Sequence, residues 1–366
     1  MEQRRIVSMW QRRHAQVLVT LIKAKGSSYR RPGARLLIEP GGTYEGTISG
    51  GCLESDVVRK AIWAVRDGAV VWHYATAIGD DSEIPFGLGC GGEIDLLMEP
   101  IETPECHALL AAMEAAVKGT PSINITWLPS KSIKLQRVIL NLEGDITFRS
   151  NSLSMDQIAH ARQFGAQDET EVVVEEIAAP QRLIVFGAGD DAKPLVRFAS
   201  LLGWDVTVAD QRPQLARKER FPDAACVFMG KAAKDLSVSP EDAVVVMTHS
   251  YEQDKELLAL TLPKNPCYAG LLGARHRSSM LIYEVSSLLD WSVEEVCRRI
   301  NAPVGLDIGG DGPEVIALAI LSEAQARCQG KPGGSRKLSV DEVFQYVGKG
   351  KTAHPAKTFC SERDFG

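Results

Sequence analysis

The sequence predicts an α/β protein in two unequal parts: a small mixed α/β unit at the amino end and a doubly wound parallel sheet from about Gln181 onward. Three observations lead there. Short apolar runs alternate with amphipathic stretches through the second half, the pattern of strand–helix–strand units. The first of those runs, residues 182–186, passes straight into Gly187-Ala-Gly-Asp-Asp-Ala192, a glycine turn that opens a helix. The first hundred residues hold strand-like runs separated by two glycine-rich loops instead.

At 366 residues the chain exceeds one ordinary core. The organisation read from it is an N-terminal domain over 1–103, a connecting subdomain over 104–180, a Rossmann-type domain over 181–330 and a tail over 331–366. A net charge of -6 argues against a partner made of nucleic acid or anionic membrane. The basic opening, residues 1–16, leads into no apolar signal core, and no apolar run spans a bilayer, so the expected location is cytoplasmic. The eight cysteines form no CxxC pair, which sets zinc-ribbon and thioredoxin readings aside. Reduced thiols are expected, with Cys226 and Cys267 read as buried strand residues.

Taken in order, residues 16–23 read as a strand, followed by the loop Gly26-Ser-Ser-Tyr-Arg-Arg-Pro-Gly33 and a second strand over 34–39. Pro40-Gly-Gly42 marks a turn. Ser49-Gly-Gly-Cys52 leads into a helix with Leu53, Val57, Ala61 and Val65 four apart. A strand over 69–74, the loop Gly87-Leu-Gly-Cys-Gly-Gly92 and a strand over 93–98 complete the unit. The middle shows one helix over 107–117, strands over 123–128 and 133–142, and then an acidic connector. In the second half, strands follow at 205–209, 225–229, 243–247 and 268–272. Ser292-Val-Glu-Glu295 is a capping box, and a last long helix covers 313–327. The tail holds one helical piece over 340–347.

Gly187-x-Gly189-x-x-Ala192 has the form of a dinucleotide fingerprint, and Asp210 ends the second strand where a ribose hydroxyl would be bound. Ligands of open α/β sheets bind at the carboxyl ends of strands, where His249, Arg275 and Arg277 also fall. Against NAD(P) stand Asp190 and Asp191, carboxylates at the helix N-terminus that should receive phosphate, although either residue also suits a helix cap. Tyr251-x-x-x-Lys255, with Ser237 and Ser239 upstream, has the spacing of a short-chain dehydrogenase dyad. The serines precede their strand and the GxxxGxG turn is absent, so coincidence explains it better.

The other candidate chemistry is thiol chemistry. Cys52 is read as opening a helix after Gly50-Gly51, where the helix dipole lowers a thiol pKa. Cys90 lies among Gly87, Gly89, Gly91 and Gly92, which let backbone approach a bulky ligand. Two such thiolates suit a soft metal, or a ligand carrying one. The alternative is tight-turn architecture around incidentally buried cysteines.

Three segments, Gly26-Ser-Ser-x-Arg-x-Pro-Gly-Ala34, Ser49-Gly-Gly-Cys-Leu-Glu54 and Gly87-Leu-Gly-Cys-Gly-Gly92, together resemble the amino-terminal domain of the XdhC/CoxI family. The second half resembles that family's Rossmann domain through Phe186-Gly-Ala-Gly189, Met247-Thr-His249, Gly270-Leu-Leu-Gly273 and Gly305-Leu-Asp-Ile-Gly309. The resemblance implies an accessory factor, a chaperone more than an enzyme, that binds molybdenum cofactor. It further implies sulfuration of that cofactor with a cysteine desulfurase and delivery to an apo xanthine dehydrogenase-type molybdoenzyme. Family members commonly carry His at the position of Asp190, a departure that weighs further against a dinucleotide. The residues that stand as candidate cofactor contacts are Cys52, Cys90, Gly50, Gly51, Gly89, Gly91, Gly187, Gly189, Asp210, His249 and Arg275, with a homodimer as the expected assembly. An NAD(P)-dependent oxidoreductase and a protein-binding adaptor on a vestigial Rossmann site are the competing readings.

Overall fold

The computed structural model describes residues 1–25, 29–51, 53–75, 93–130, 132–164, 171–230 and 236–350. The chain opens with helix α1 (Glu2–Gln11), where the sequence pattern suggests only a basic lead-in. Strands β1 (Val17–Lys25), β2 (Arg35–Ile38) and β3 (Tyr44–Gly46) follow, then α2 (Glu54–Ala64), β4 (Val70–Ala75) and β5 (Glu93–Pro100). The five strands form one antiparallel sheet ordered β3-β2-β1-β5-β4. The start of β1 is buried on both faces, which explains its continuous apolar run. Val17, Val19 and Leu21 face α2 through Leu53, Val57 and Ala61. Leu18 and Leu37 face α1 and the next helix, α3 (Pro104–Val117), through Ile6, Met9, Leu109 and Met113.

A second antiparallel sheet, ordered β8-β7-β6-β9, holds β6 (Ser122–Trp127), β7 (Gln136–Leu140), β8 (Ile146–Arg149) and β9 (Val172–Ile177), with α4 (Met155–Phe164) beside it. The stretch that reads as an acidic connector therefore contains β8 and α4 as well as the strand β9. The carboxylates of β9 hide it: Glu175 points back to accept hydrogen bonds from Arg35 and Asn124, pinning β9 against both sheets. Arg137 of β7 makes a bidentate pair with Glu99 of β5 at 2.7 and 3.1 Å, both side chains about 1% exposed. Thr126 and the Glu105 carbonyl accept two further hydrogen bonds from the guanidinium.

The second half follows the expected order: β10 (Arg182–Phe186), α5 (Ala192–Leu202), β11 (Asp205–Asp210), β12 (Cys226–Met229), β13 (Ala243–Val246), α6 (Tyr251–Thr261) and β14 (Tyr268–Leu271). Helices α7 (Arg275–Leu289), α8 (Val293–Arg299), α9 (Pro313–Cys328) and α10 (Val340–Gly350) come after. The strands are parallel and ordered β12-β11-β10-β13-β14. Alternate residues of each strand bury on opposite faces: Leu183 and Val185 pack with Leu195 and Ile320, Ile184 and Phe186 with Leu257 and Leu281. Both faces are thus covered by helices, as a parallel sheet requires.

Two cysteine expectations fail. Cys226 begins β12, the edge strand of its sheet, and is exposed. Cys267 is joined to Cys328 by a disulfide, because α9 packs against β14 and brings its last residue beside the strand's start. The Tyr251–Lys255 pair has a structural use. Both side chains reach Glu284, at 2.9 and 3.1 Å, and tie α6 to α7.

Candidate functional site

The amino-terminal loops are organised by a residue that no spacing argument singles out. The carboxylate of Glu54, 2% exposed, accepts hydrogen bonds from the backbone N–H groups of Ile48, Ser49, Gly50 and Gly51 and from the hydroxyls of Thr47 and Ser49. Burial alone would push this carboxyl up, but the bonds from Ser49 and Thr47 outweigh it and hold the pKa at about 2. The Ser49–Gly51 turn is therefore wrapped round an internal anion. Ser49 also receives the Leu53 N–H, which closes the turn onto α2. The only sequence signal for this is an acid just after a Ser-Gly-Gly run.

Helix α2 begins at Glu54 with Leu53 at its N-cap, so it opens two residues later than the sequence pattern suggests, and Glu54 and Asp56 occupy its first turn. Those carboxylates meet the positive end of the helix dipole first. Cys52, Cys90, Gly89 and Gly91 lie outside the described residues. Gly50 and Gly51 are described, both in the left-handed region, at φ of 86° and 113°. At Gly50 the requirement is double, because a Cβ would also stand 2.7 Å from the ring of Tyr29. Tyr29 belongs to the first glycine loop, so two of the three amino-terminal motifs meet at this point.

The Rossmann strand ends gather Gly187, Gly189, Asp210, His249 and Arg275, but their side chains are largely spoken for. Gly187, at φ 123°, is required by the chain itself, since a Cβ there would collide with the Met247 carbonyl at the end of β13. Asp210 accepts from the Ala188 N–H at 2.8 Å and from Arg212 through its N–H, Nε and Nη2 at 2.7–2.9 Å. Burial would raise its pKa, and these bonds more than offset that and lower it. The carboxylate whose type and spacing suit a ribose hydroxyl is thus engaged by Arg212.

Neither aspartate of the glycine turn caps α5. Asp191 stands at the N-cap without a capping bond and turns to His249, 2.8 Å away. Its carboxylate lies over Gly189, where a Cβ would collide with it. Asp190 is 81% exposed and pairs with Lys193 and Arg220. His249 itself is held at φ 64°, an uncommon conformation for a residue with a side chain. Its neighbour Thr248 is anchored by Asp254, which also holds Arg277 at 2.6 Å. Arg277 is therefore committed within the fold, whereas Arg275 is exposed at the start of α7. A pyrophosphate at Gly189 would face the Asp191 carboxylate, so the residues as arranged do not fit a dinucleotide. Among the described residues, no group of three or more metal-ligating side chains is formed.

Residues 183–324 match the family model for the XdhC Rossmann domain, and residues 9–75 match that for the XdhC and CoxI family. The chain belongs to the XdhC and CoxI family. Over 317 residues it is 29% identical to a probable xanthine dehydrogenase subunit of Bacillus subtilis, covering 84% of this chain and 91% of that one. The molybdenum cofactor insertion chaperone PaoD of Escherichia coli is 23% identical over 84% of this chain and 81% of its own length. A crystal structure described as a xanthine dehydrogenase from Bacillus halodurans, 29% identical, covers 94% of this chain and 99% of that one with a TM-score of 0.77. The family's glycine motifs thus have a physical meaning in this chain: one set wraps a carboxylate, and the other lets β10 and β13 close on each other.

Proposed function

We propose that this protein is a maturation factor that binds molybdenum cofactor at its amino-terminal glycine loops, assists its sulfuration with a cysteine desulfurase, and delivers it to a xanthine dehydrogenase-type molybdoenzyme. Membership of the XdhC and CoxI family and similarity to a molybdenum cofactor insertion chaperone support the reading. The observation that favours it over an NAD(P)-dependent oxidoreductase is the engagement of Asp210 by Arg212 and of Asp191 by His249 at the strand ends. The rigid turn around Glu54 presents Gly50 and Gly51, and its motif supplies Cys52; Cys90 comes from the third motif. Bound cofactor brings the redox-active molybdenum that the client enzyme uses. This chain's residues hold and shield it, with thiolates as soft contacts to the metal.

The protein is proposed to work in the cytoplasm as a homodimer. Within one chain, Arg4 of α1 pairs with Asp205 at 2.6 Å, and Met1 packs on Gly203. These contacts tie the amino-terminal unit to the amino ends of the strands, opposite Gly187 and His249. A site shared between the described turn at Gly50 and Gly51 and the strand ends would then form between two copies.

The test is to purify the protein from a host that makes molybdenum cofactor and to measure molybdenum and pterin on it. Wild type should carry both. Cys52→Ala and Cys90→Ala should lose most of the load while melting within a few degrees of wild type, and serine at either position should not restore it. Bound cofactor should shield Cys52 from a thiol reagent. Mutants that melt early yet stay loaded would make these cysteines packing residues and remove them from the mechanism.

A further inference from the structure

Tyr29 is the most exposed large apolar side chain among the described residues, at 79%, yet it is not a loose one. Its ring rests against the backbone of Gly50, so closely that a Cβ at position 50 would lie 2.7–3.3 Å from three ring carbons. The surface beneath the ring is fixed, because Gly50 donates its N–H both to Thr47 at 3.0 Å and to the Glu54 carboxylate at 3.2 Å. An aromatic ring set on a rigid glycine turn and left largely in water offers a fixed face to a flat ligand. A ring held this way loses little freedom on binding, so stacking on it is favoured over stacking on a mobile side chain. Gly50 serves that purpose twice, through its left-handed φ of 86° and its missing side chain.

We infer that Tyr29 is a stacking platform for a planar heteroaromatic ligand, held in place by Gly50. The inference rests on the carrier reading for the ligand's identity, a pterin, but it assigns the contact to a residue with no role in metal ligation. A ring stacked on Tyr29 lies beside the Gly50 turn, so the organic part of the ligand has a holder that needs no metal contact. The platform uses the aromatic face and not the hydroxyl.

The experiment titrates the purified protein with 6-carboxypterin and follows quenching of the pterin's own fluorescence. Saturable quenching is expected for wild type and for Tyr29→Phe. Tyr29→Leu and Tyr29→Ala should weaken it by about tenfold, the range that stacked bases lose on aromatic truncation. Melting temperature should not change, since the side chain is exposed. A wild type that binds pterin, with Tyr29→Ala binding equally well, overturns the platform and leaves the carrier reading intact. A Tyr29→Phe variant as weak as Tyr29→Ala also overturns it, because the hydroxyl would then carry the effect. A wild type that binds no pterin overturns the platform, while molybdenum on the same protein, measured separately, decides the carrier reading.

Discussion

Glu54 shows how much one side chain can decide. Its carboxyl is held at about 2, against an ordinary 4.5, by two hydroxyls and consecutive backbone donors. A depressed pKa contributes stability that is fully present above the unfolded value and is lost as pH falls through the folded one. The shift corresponds to ~3 kcal/mol at neutral pH, fading between about pH 4.5 and pH 2. Thermal melts across that window should show the loss in wild type. Glu54→Gln, whose amide NH2 would face donors, should start roughly 2–3 kcal/mol less stable and show a shallower acid transition. A mutant with the same pH profile as wild type would count against the cradle. At the strand ends the informative residue is Asp191, not Asp190, because only Asp191 lies over Gly189. A carboxylate about 5 Å from a phosphate costs about 3 kcal/mol at an effective dielectric near 20, less after screening. NAD should therefore bind weakly or not at all by calorimetry, and Asp191→Ala should raise whatever affinity exists by roughly tenfold. Low-micromolar NAD affinity in wild type would contradict this.

At the scale of elements, the two antiparallel sheets are joined by charge as much as by apolar contact. Arg137 and Glu99 are buried together, with Thr126 and the Glu105 carbonyl completing the guanidinium's partners. Cys106 lies in the same pocket, its thiol pushed up by burial and by Glu99. Such a pair stabilises little relative to a well-packed apolar replacement, but breaking one half strands a buried charge. Arg137→Ala or Glu99→Ala should each cost roughly 3–5 kcal/mol in denaturant melts. The double replacement Arg137→Met with Glu99→Leu should recover most of that loss. If each single mutant costs under about 1 kcal/mol, the two sheets are not coupled through this pair. The α6–α7 tie through Glu284 is more exposed, and Lys255→Ala should leave the melting temperature within a few degrees of wild type.

For the whole molecule, α1 is the element that sets the arrangement. It covers one face of the first sheet with Ile6, Val7 and Met9, and it reaches the Rossmann sheet through Arg4 and Asp205. That link ties the amino-terminal unit to the amino ends of the Rossmann strands. Light scattering after gel filtration should give twice the chain mass of 39.8 kDa. A strictly monomeric protein that still carries cofactor would show that the glycine loops suffice without a second copy. No helix among the described residues is long and apolar enough to cross a membrane.

The parallel sheet, its strand positions, the glycine turn and the family were legible in the sequence because they depend on local patterns: apolar runs, a turn that only glycine tolerates, and motif order. The strand β9 and the role of Glu54 were not legible, because both depend on where a carboxylate finds its donors. Glu175 looks like solvated charge until Arg35 is folded against it, and Glu54 looks like a surface acid until four N–H groups turn toward it. The same holds for Asp210 and Asp191, whose type and spacing suit a nucleotide while their actual partners are Arg212 and His249. The Cys267–Cys328 bond is likewise set by packing, since sixty-one positions of chain separate two residues that α9 and β14 bring together. Spacing along the chain determines backbone periodicity and turn chemistry; which polar groups satisfy one another is decided only when distant segments meet.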